Sequence, residues 1–173
     1  MDSRYVEHRV ALREFVECAL ALDADTWQRS PAGKWSPAQI SQHLSLTYAA
    51  LLQEMAGGSA IRVRTSAWQR LFLRWTVLPG LLKHGRIPTG APAVREVRPG
   101  NGPFDQKEVL DRLEAQCEKF LEVLGDQQRS GKAQLTHPFF GKLDSDAGLR
   151  FCTVHIIHHR RQLPSAEKNV VAF

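Results

Sequence analysis

Apolar residues recur at alternating spacings of three and four positions in four long stretches of the chain. That spacing places the apolar side chains along one face of an α-helix, whereas the period-two alternation of a half-buried strand is almost absent. An amphipathic helix must bury its apolar face against another element, so the sequence predicts an all-α four-helix bundle. The four predicted helices cover approximately residues 2–22, 36–56, 105–124 and 144–163.

Residues with known capping preferences mark the ends of these helices. Ser36 and Gln39 have the spacing of a capping box at the start of the second helix, and Asp105 occupies the N-cap position of the third. Gly125 is expected to end the third helix, and Pro164 to lie just beyond the fourth.

An insert, residues 61–104, separates the second and third predicted helices. Residues 61–83 have a helical apolar pattern that Pro79 is expected to kink or break, whereas residues 84–104 contain four prolines and four glycines and fit no regular element. Long irregular loops of this kind are uncommon in compact domains and are usually functional or mobile. We therefore predict one domain, residues 1–173, in which an inserted helix and a long loop join helices two and three.

The composition is that of a globular chain, with 173 residues of which 43% are hydrophobic and 24% charged. The three cysteines are an odd number without C-x-x-C spacing, which favours free thiols in a reducing compartment over disulfides or a cysteine metal site. The longest uncharged apolar run, Trp75–Leu82, is far shorter than the roughly 20 residues of a membrane-spanning helix. With no apolar signal sequence at the N-terminus, the expectation is a cytoplasmic protein with no membrane span.

Basic charge is concentrated in one segment of the chain. Residues 62–98 contain eight basic residues and one acid, and the formal net charge of the whole chain is +5. No nucleic-acid-binding motif accompanies this charge, so we expect no nucleic-acid partner. Trp68, Phe72 and Trp75 lie among these arginines, and we favour a lid over a pocket or a dimer contact for them over a membrane-surface helix.

Three histidines fall on the predicted inward faces of two helices. His155 and His159 are four residues apart on the apolar stripe of the fourth helix, which stacks their rings one turn apart on one face. His43 lies on the apolar stripe of the second helix, so all three imidazoles converge if the two helices pack face to face. Bundle cores are common places for metal sites, and three imidazoles without a metal would each need a hydrogen-bond partner. The alternative is three core histidines with such partners.

Other polar residues near these histidines are candidates for the second coordination sphere or the pocket. His158 points about 100° away from its neighbour His159, so it flanks the cluster or replaces His159 as a ligand. Gln162 follows His159 by three residues and either steadies a ligand or substrate or faces solvent. His137 lies in the loop before the fourth helix, where it lines the mouth of a pocket or belongs to an apolar plug with its phenylalanine neighbours.

Four short motifs in this order resemble the DinB-like (DinB/YfiT) superfamily of metal-dependent enzymes, and in particular a bacterial subgroup whose function is unknown. They are WSPAQISQHL (35–44), GRIPTGAP (85–92), HPFFGKL (137–143) and HIIHHRRQL (155–163). The resemblance implies a bundle of up-down-down-up topology, commonly a homodimer, in which His43, His155 and His159 bind zinc, nickel or iron. Some members of the superfamily are thiol-dependent S-transferases or isomerases.

Three neutral imidazoles leave a divalent ion its full charge and at least one open coordination position. Such an ion lowers the pKa of a bound water towards ~7 or activates a thiol as thiolate, and the lack of a carboxylate ligand argues against the 2-His-1-carboxylate oxygenases. The sequence therefore predicts a metal-dependent hydrolase or thiol-dependent S-transferase with a small-molecule substrate, a low-molecular-weight thiol being one candidate. The alternative is a non-catalytic bundle that binds a small apolar ligand or a protein partner through residues 61–104.

Overall fold

The computed structural model of the protein describes residues 2–58, 62–87, 93–131 and 134–164, which form mostly α-helix with one small antiparallel hairpin. Residue 61, residues 88–92 of the predicted loop and the C-terminal residues 165–173 lie outside the described part. The helices are α1 (Ser3–Leu20), α2 (Ala24–Gln28), α3 (Pro37–Met55), α4 (Ala67–Thr76), α5 (Leu78–His84), α6 (Gln106–Arg129) and α7 (Ser145–Arg160), with a 3₁₀ turn at Arg95–Val97 and strands β1 (Gln134–His137) and β2 (Gly141–Asp144).

The four long helices α1, α3, α6 and α7 share one apolar core. Phe15, Leu44, Leu113 and Ile156, one from each helix, are completely buried in it. α3 packs mainly against α6, and α1 mainly against α7. The mostly helical fold predicted from the apolar periodicity is thus confirmed, whereas the up-down-down-up order stays a prediction.

The predicted helix starts are formed as expected. Ser36 and Gln39 make a reciprocal capping box at the start of α3, which satisfies two backbone donors that the helix itself leaves unpaired. The side chains of Asp105 and Asp144 accept backbone N–H bonds at the starts of α6 and α7. The caps of α3 and α7 fix where the two helices that carry the clustered histidines begin.

Gly125 does not end the third long helix, because α6 continues to Arg129. Leu124 is fully buried beside it, and the hydroxyl of Tyr5 donates to the side chain of Gln128 at 2.7 Å in the following turn. A glycine inside a helix costs only about 1 kcal/mol, which these contacts offset. The chain instead turns at Gly131, which has a φ of +68°.

A short helix, α2, lies between α1 and α3, outside the four helices predicted from the sequence. Asp23 caps it, and Trp27 is buried, with its indole N–H donating to the carbonyl of Phe104 at 2.8 Å. A five-residue helix has too few positions to show a period, so burial of a single tryptophan decides its formation.

The loop predicted before the fourth long helix forms the β1–β2 hairpin. Leu135 pairs with Leu143 across the two strands, and both side chains are buried. Gly141 has a φ of +70° at the start of β2, a conformation that L-residues other than glycine rarely adopt. Strands of four residues are too short to give a recognisable alternation in the sequence.

The insert packs on this hairpin. Its helix breaks at Val77, two residues before Pro79, and continues as α5. The backbone N–H of Arg64 donates to the carbonyl of Pro138 at 2.7 Å, and the hydroxyl of Thr65 donates to the carbonyl of Phe139 at 2.9 Å. Among the described residues there is no helix with the length and hydropathy needed to cross a membrane.

Candidate metal centre

The structure brings the three histidines of the predicted cluster together between α3 and α7. The Nε2 atom of His155 lies 3.2 Å from Nε2 of His43 and 3.0 Å from Nε2 of His159. One potential ligand atom from each residue lies within 4.8 Å of the others. His43 and His159 are buried and His155 is half-buried, so the three-histidine cluster is enclosed by protein but not sealed from solvent.

The outer nitrogen of His43 is held by a backbone carbonyl. Its Nδ1 lies 2.7 Å from the carbonyl oxygen of Val97, in the 3₁₀ turn of the insert. A carbonyl can only accept, so Nδ1 carries the proton and Nε2 presents a lone pair to the cluster. Val97 is a residue that the sequence analysis missed, because a backbone carbonyl contact leaves no side-chain signal.

Gln162 holds the outer nitrogen of His159 in the same way. The Nδ1 atom of His159 lies 2.8 Å from the Oε1 atom of Gln162, and the amide nitrogen of Gln162 donates to Nε2 of His158 at 3.0 Å. Oε1 is an acceptor, so Nε2 of His159 also presents a lone pair to the cluster. His158 therefore contacts the cluster through Gln162, and its ring also lies against that of His159, with 5.1 Å between centroids.

The cluster lacks the protons that would be needed to satisfy these lone pairs. If Nε2 of His155 carries a hydrogen, it can donate to His43 or to His159 but not well to both. Burial lowers the pKa of His43, lowers that of His155 well below its ordinary value, and lowers that of His159 to about 3. All three rings are thus neutral at pH 7, and at least one lone pair has no protein hydrogen to accept.

A divalent transition metal fits this donor set. Two imidazole nitrogens bound to one tetrahedral ion at about 2.0–2.1 Å lie ~3.3 Å apart, close to the two separations observed here. Metal-binding histidines also usually donate their other N–H to a carbonyl or similar acceptor, as Val97 and Gln162 provide.

Two aromatic rings flank the cluster, one from the residue before the N-cap of α3 and one from α7. Trp35 lies against His43 with 5.1 Å between ring centroids, and Phe151 stacks on His155 at 5.9 Å. These rings exclude water from the sides of the cluster, which strengthens electrostatic interactions within it.

His137 does not join the cluster but lies one ring away from it. It packs against Phe151 at 4.4 Å and Phe140 at 4.5 Å, and its Nδ1 accepts the backbone N–H groups of Phe139 and Phe140. Its proton is therefore on Nε2, and burial lowers its pKa to about 3. His137 is a neutral donor that packs among phenylalanine rings, and its place at the mouth of a pocket stays a prediction.

A second buried polar cluster, the His8 network of His8, Tyr48, Cys117 and Thr153, lies elsewhere in the bundle core. The hydroxyl of Thr153 donates to the carbonyl of Leu149, so Nδ1 of His8 donates to Thr153 at 3.0 Å. Nε2 of His8 lies 3.0 Å from the hydroxyl of Tyr48 and 3.2 Å from the Sγ of Cys117.

Burial lowers the pKa of His8 to about 4 and raises that of Cys117 to about 12, so the network is neutral. The partners of His8 lie on other helices, so the sequence around His8 gives no indication of them.

Comparison with known protein families identifies the family of this chain. A sequence model of the DinB superfamily matches residues 4–163, nearly the whole chain. No significant match was found among curated proteins or among solved structures. The matched range contains α3, α7 and all three clustered histidines, and the chain belongs to the DinB superfamily.

Proposed function

We propose that the protein is a metal-dependent enzyme in which His43, His155 and His159 hold one divalent transition metal, with zinc, nickel and iron as the candidates. The observation that carries the proposal is the convergence of three Nε2 atoms while the outer nitrogens of two rings are held by Val97 and Gln162. Membership of the DinB superfamily supports the same assignment.

A divalent ion on three neutral imidazoles supplies Lewis-acid activation of a water, a thiol or a substrate oxygen. We therefore propose a hydrolase or a thiol-dependent S-transferase acting on a small molecule. Val97 and Gln162 fix the orientation of the His43 and His159 rings. Trp35 and Phe151 cover two sides of the cluster and exclude water there. His137 is a fixed N–H donor one ring away, suited to orienting a substrate oxygen.

The proposal treats residues 1–173 as one domain with the insert 61–104, of up-down-down-up topology. It assigns the enzyme to the cytoplasm and to a homodimer, with no nucleic-acid partner. These assignments rest on the cysteine content, the charge distribution and the superfamily resemblance.

Elemental analysis of untagged protein purified without chelator tests the proposal. We expect about one transition metal per chain in the wild type and none in His43→Ala or His159→Ala. His84→Ala is the matched control, because His84 is exposed on α5 and does not belong to the three-histidine cluster. Full metal content in both cluster variants, or a wild type that takes up no zinc, nickel or iron at neutral pH, would contradict the proposal.

The loaded protein then separates the two reaction classes. A hydrolase turns over esters or amides without added thiol, whereas an S-transferase consumes an electrophile only when a low-molecular-weight thiol is present. Both activities should disappear in His159→Ala and persist in His84→Ala.

A second candidate function is a non-catalytic bundle that binds a partner through the insert. The exposed aromatic side chains of α4 favour it. In that case the deletion of the insert abolishes binding, and metal-loaded protein shows neither activity.

A further inference from the structure

Helix α4 presents an apolar face to solvent. Trp68, Leu71, Phe72 and Trp75 are spaced as neighbours on one helical face and are 73%, 52%, 55% and 77% exposed. Of the seven large hydrophobic residues exposed in the described part of the chain, these four and Val63 lie within 13 residues. A concentrated apolar patch of this kind marks an interaction surface, whereas single exposed apolar residues are ordinary.

The opposite face of α4 is anchored to the protein, which fixes the direction of the aromatic face. Arg74 donates to the carbonyl of Lys142 on β2 at 2.6 Å, and Leu73 packs against an apolar cluster that includes residues of α5 and α7. Ser66 and Gln69 form a capping box at its start. The aromatic residues are therefore held outward by a formed helix.

The charge around this face is strongly one-sided. Residues 62–87 contain six basic residues and no acid. Arg64 is paired with Glu96 outside the segment, and the guanidinium groups of Arg70 and Arg74 donate to backbone carbonyls of the protein. The remaining basic residues of the segment, Arg62, Lys83 and Arg86, are exposed. This combination complements a surface that is anionic and has an apolar interior. A second copy of the chain docked face to face would place two basic segments against each other, which opposes self-association.

We propose that α4 is an interfacial helix that docks the protein on bilayers containing anionic lipids. Trp68, Leu71, Phe72 and Trp75 enter the boundary between headgroups and acyl chains. The exposed basic residues Arg62, Lys83 and Arg86 face the lipid phosphates. The helix has ten residues and lies in the plane of the surface. The proposal is independent of the metal site.

Co-sedimentation of the full-length protein with vesicles tests it. Vesicles of phosphatidylcholine alone are compared with vesicles in which roughly a third of the lipid is phosphatidylglycerol. We expect binding mainly to the anionic vesicles, with a blue shift of tryptophan fluorescence as Trp68 and Trp75 leave water. Raising the ionic strength from about 0.1 to about 1 M shortens the Debye length from about 10 to about 3 Å and should weaken binding.

The double variant Trp68→Ala/Trp75→Ala should bind anionic vesicles at least about 10-fold more weakly. Val6→Ala/Leu20→Ala is the matched control, since it removes two exposed apolar side chains from α1 instead, and it should bind like the wild type. Circular dichroism of each variant verifies the fold, which these exposed side chains do not support.

Three results would overturn the proposal. The first is no binding to anionic vesicles. The second is equal, salt-independent binding to both kinds of vesicle. The third is a dimer, measured by light scattering, that the tryptophan double variant dissociates, because the face is then occupied by a second copy of the chain.

Discussion

Two buried polar clusters lie inside the same bundle, the His8 network and the three-histidine cluster. They differ in whether the protein itself provides a hydrogen-bond partner for every ring nitrogen. In the His8 network, Nδ1 donates to Thr153 and Nε2 accepts from Tyr48, so the ring is fully paired. In the three-histidine cluster, the two anchored rings direct lone pairs towards His155, which can donate to only one of them. Burial and a lowered pKa are common to both clusters, so neither property distinguishes a metal site from a structural histidine. The property that distinguishes the metal site is the convergence of ring nitrogens that lack a hydrogen-bond partner.

The largest expected effect is the loss of metal binding in His155→Ala. This variant removes the nitrogen that lies near both others, so metal affinity should fall by more than ~100-fold. His8→Ala should leave affinity unchanged, because His8 contacts none of the three histidines directly. Calorimetric titration with zinc or nickel measures both. Equal losses of affinity in the two variants would mean that the contrast between the clusters is wrong.

The second effect is on the free energy of unfolding of metal-free protein. Here we expect His8→Ala to have a larger effect than His155→Ala, the reverse of their effects on metal affinity. His8→Ala deprives the buried hydroxyl of Tyr48 of its acceptor and leaves a cavity, which should lower the free energy of unfolding by about 2–4 kcal/mol. His155→Ala should lower the free energy of unfolding of metal-free protein by less, since it removes a nitrogen that faces two other nitrogen lone pairs. Urea unfolding in the presence of a chelator compares them. A larger loss in His155→Ala would show that the three-histidine cluster also has a structural role.

The third effect is the contribution of His8 to the pH dependence of stability, to which His137 and His159, whose pKa values are also lowered by burial, contribute as well. The pKa of His8 is lowered from 6.5 to about 4 in the folded protein, so the unfolded chain binds more protons between these values. Its contribution is fully present above pH 6.5 and is lost as the pH falls towards about 4, by about 2–3 kcal/mol. Urea unfolding of metal-free protein at several pH values should show a smaller slope in His8→Gln than in the wild type. An identical slope would exclude His8 as its source.

The smallest effect is expected at Gln162. Gln162→Ala removes the acceptor for Nδ1 of His159, which should weaken metal binding by about 10- to 100-fold. Gln162→Glu retains an acceptor oxygen and should bind metal within a few-fold of the wild type. The same calorimetric titration distinguishes a loss of His159 orientation from a general disruption of the structure at residue 162. Loss of metal binding in both variants would contradict the orienting role of Gln162.

The candidate site was predictable where it depends on helical spacing. His155 and His159 could be placed on one face because they are four residues apart, and His43 because it lies on an apolar stripe with a capped start. The contact of Val97 with the cluster was not predictable, and the spacing of Gln162 from His159 left open whether Gln162 steadies a ligand or faces solvent. The Val97 contact is made by a backbone carbonyl in an irregular segment, and the Gln162 contact depends on how the chain turns after α7.

The parts of the fold that were mispredicted also depend on contacts between residues distant in sequence. Gly125 was expected to end a helix on local propensity, but burial of Leu124 and the contact of Tyr5 with Gln128 continue α6. α2 and the hairpin exist because Trp27, Leu135 and Leu143 are buried against other elements. Short segments contain too few residues for a periodic signal, so their structure depends on partners distant in sequence.

The sequence by itself determined the helical class, the starts of α3, α6 and α7, and which histidines share a helix face, since period and capping are local properties. The tertiary structure alone decided which ring nitrogens carry hydrogens and which are left facing one another. It also decided that the aromatic face of α4 points outward, although its spacing is equally compatible with a buried helix. Both outcomes depend on the partner that each side chain meets across the bundle, and an amphipathic pattern does not specify that partner.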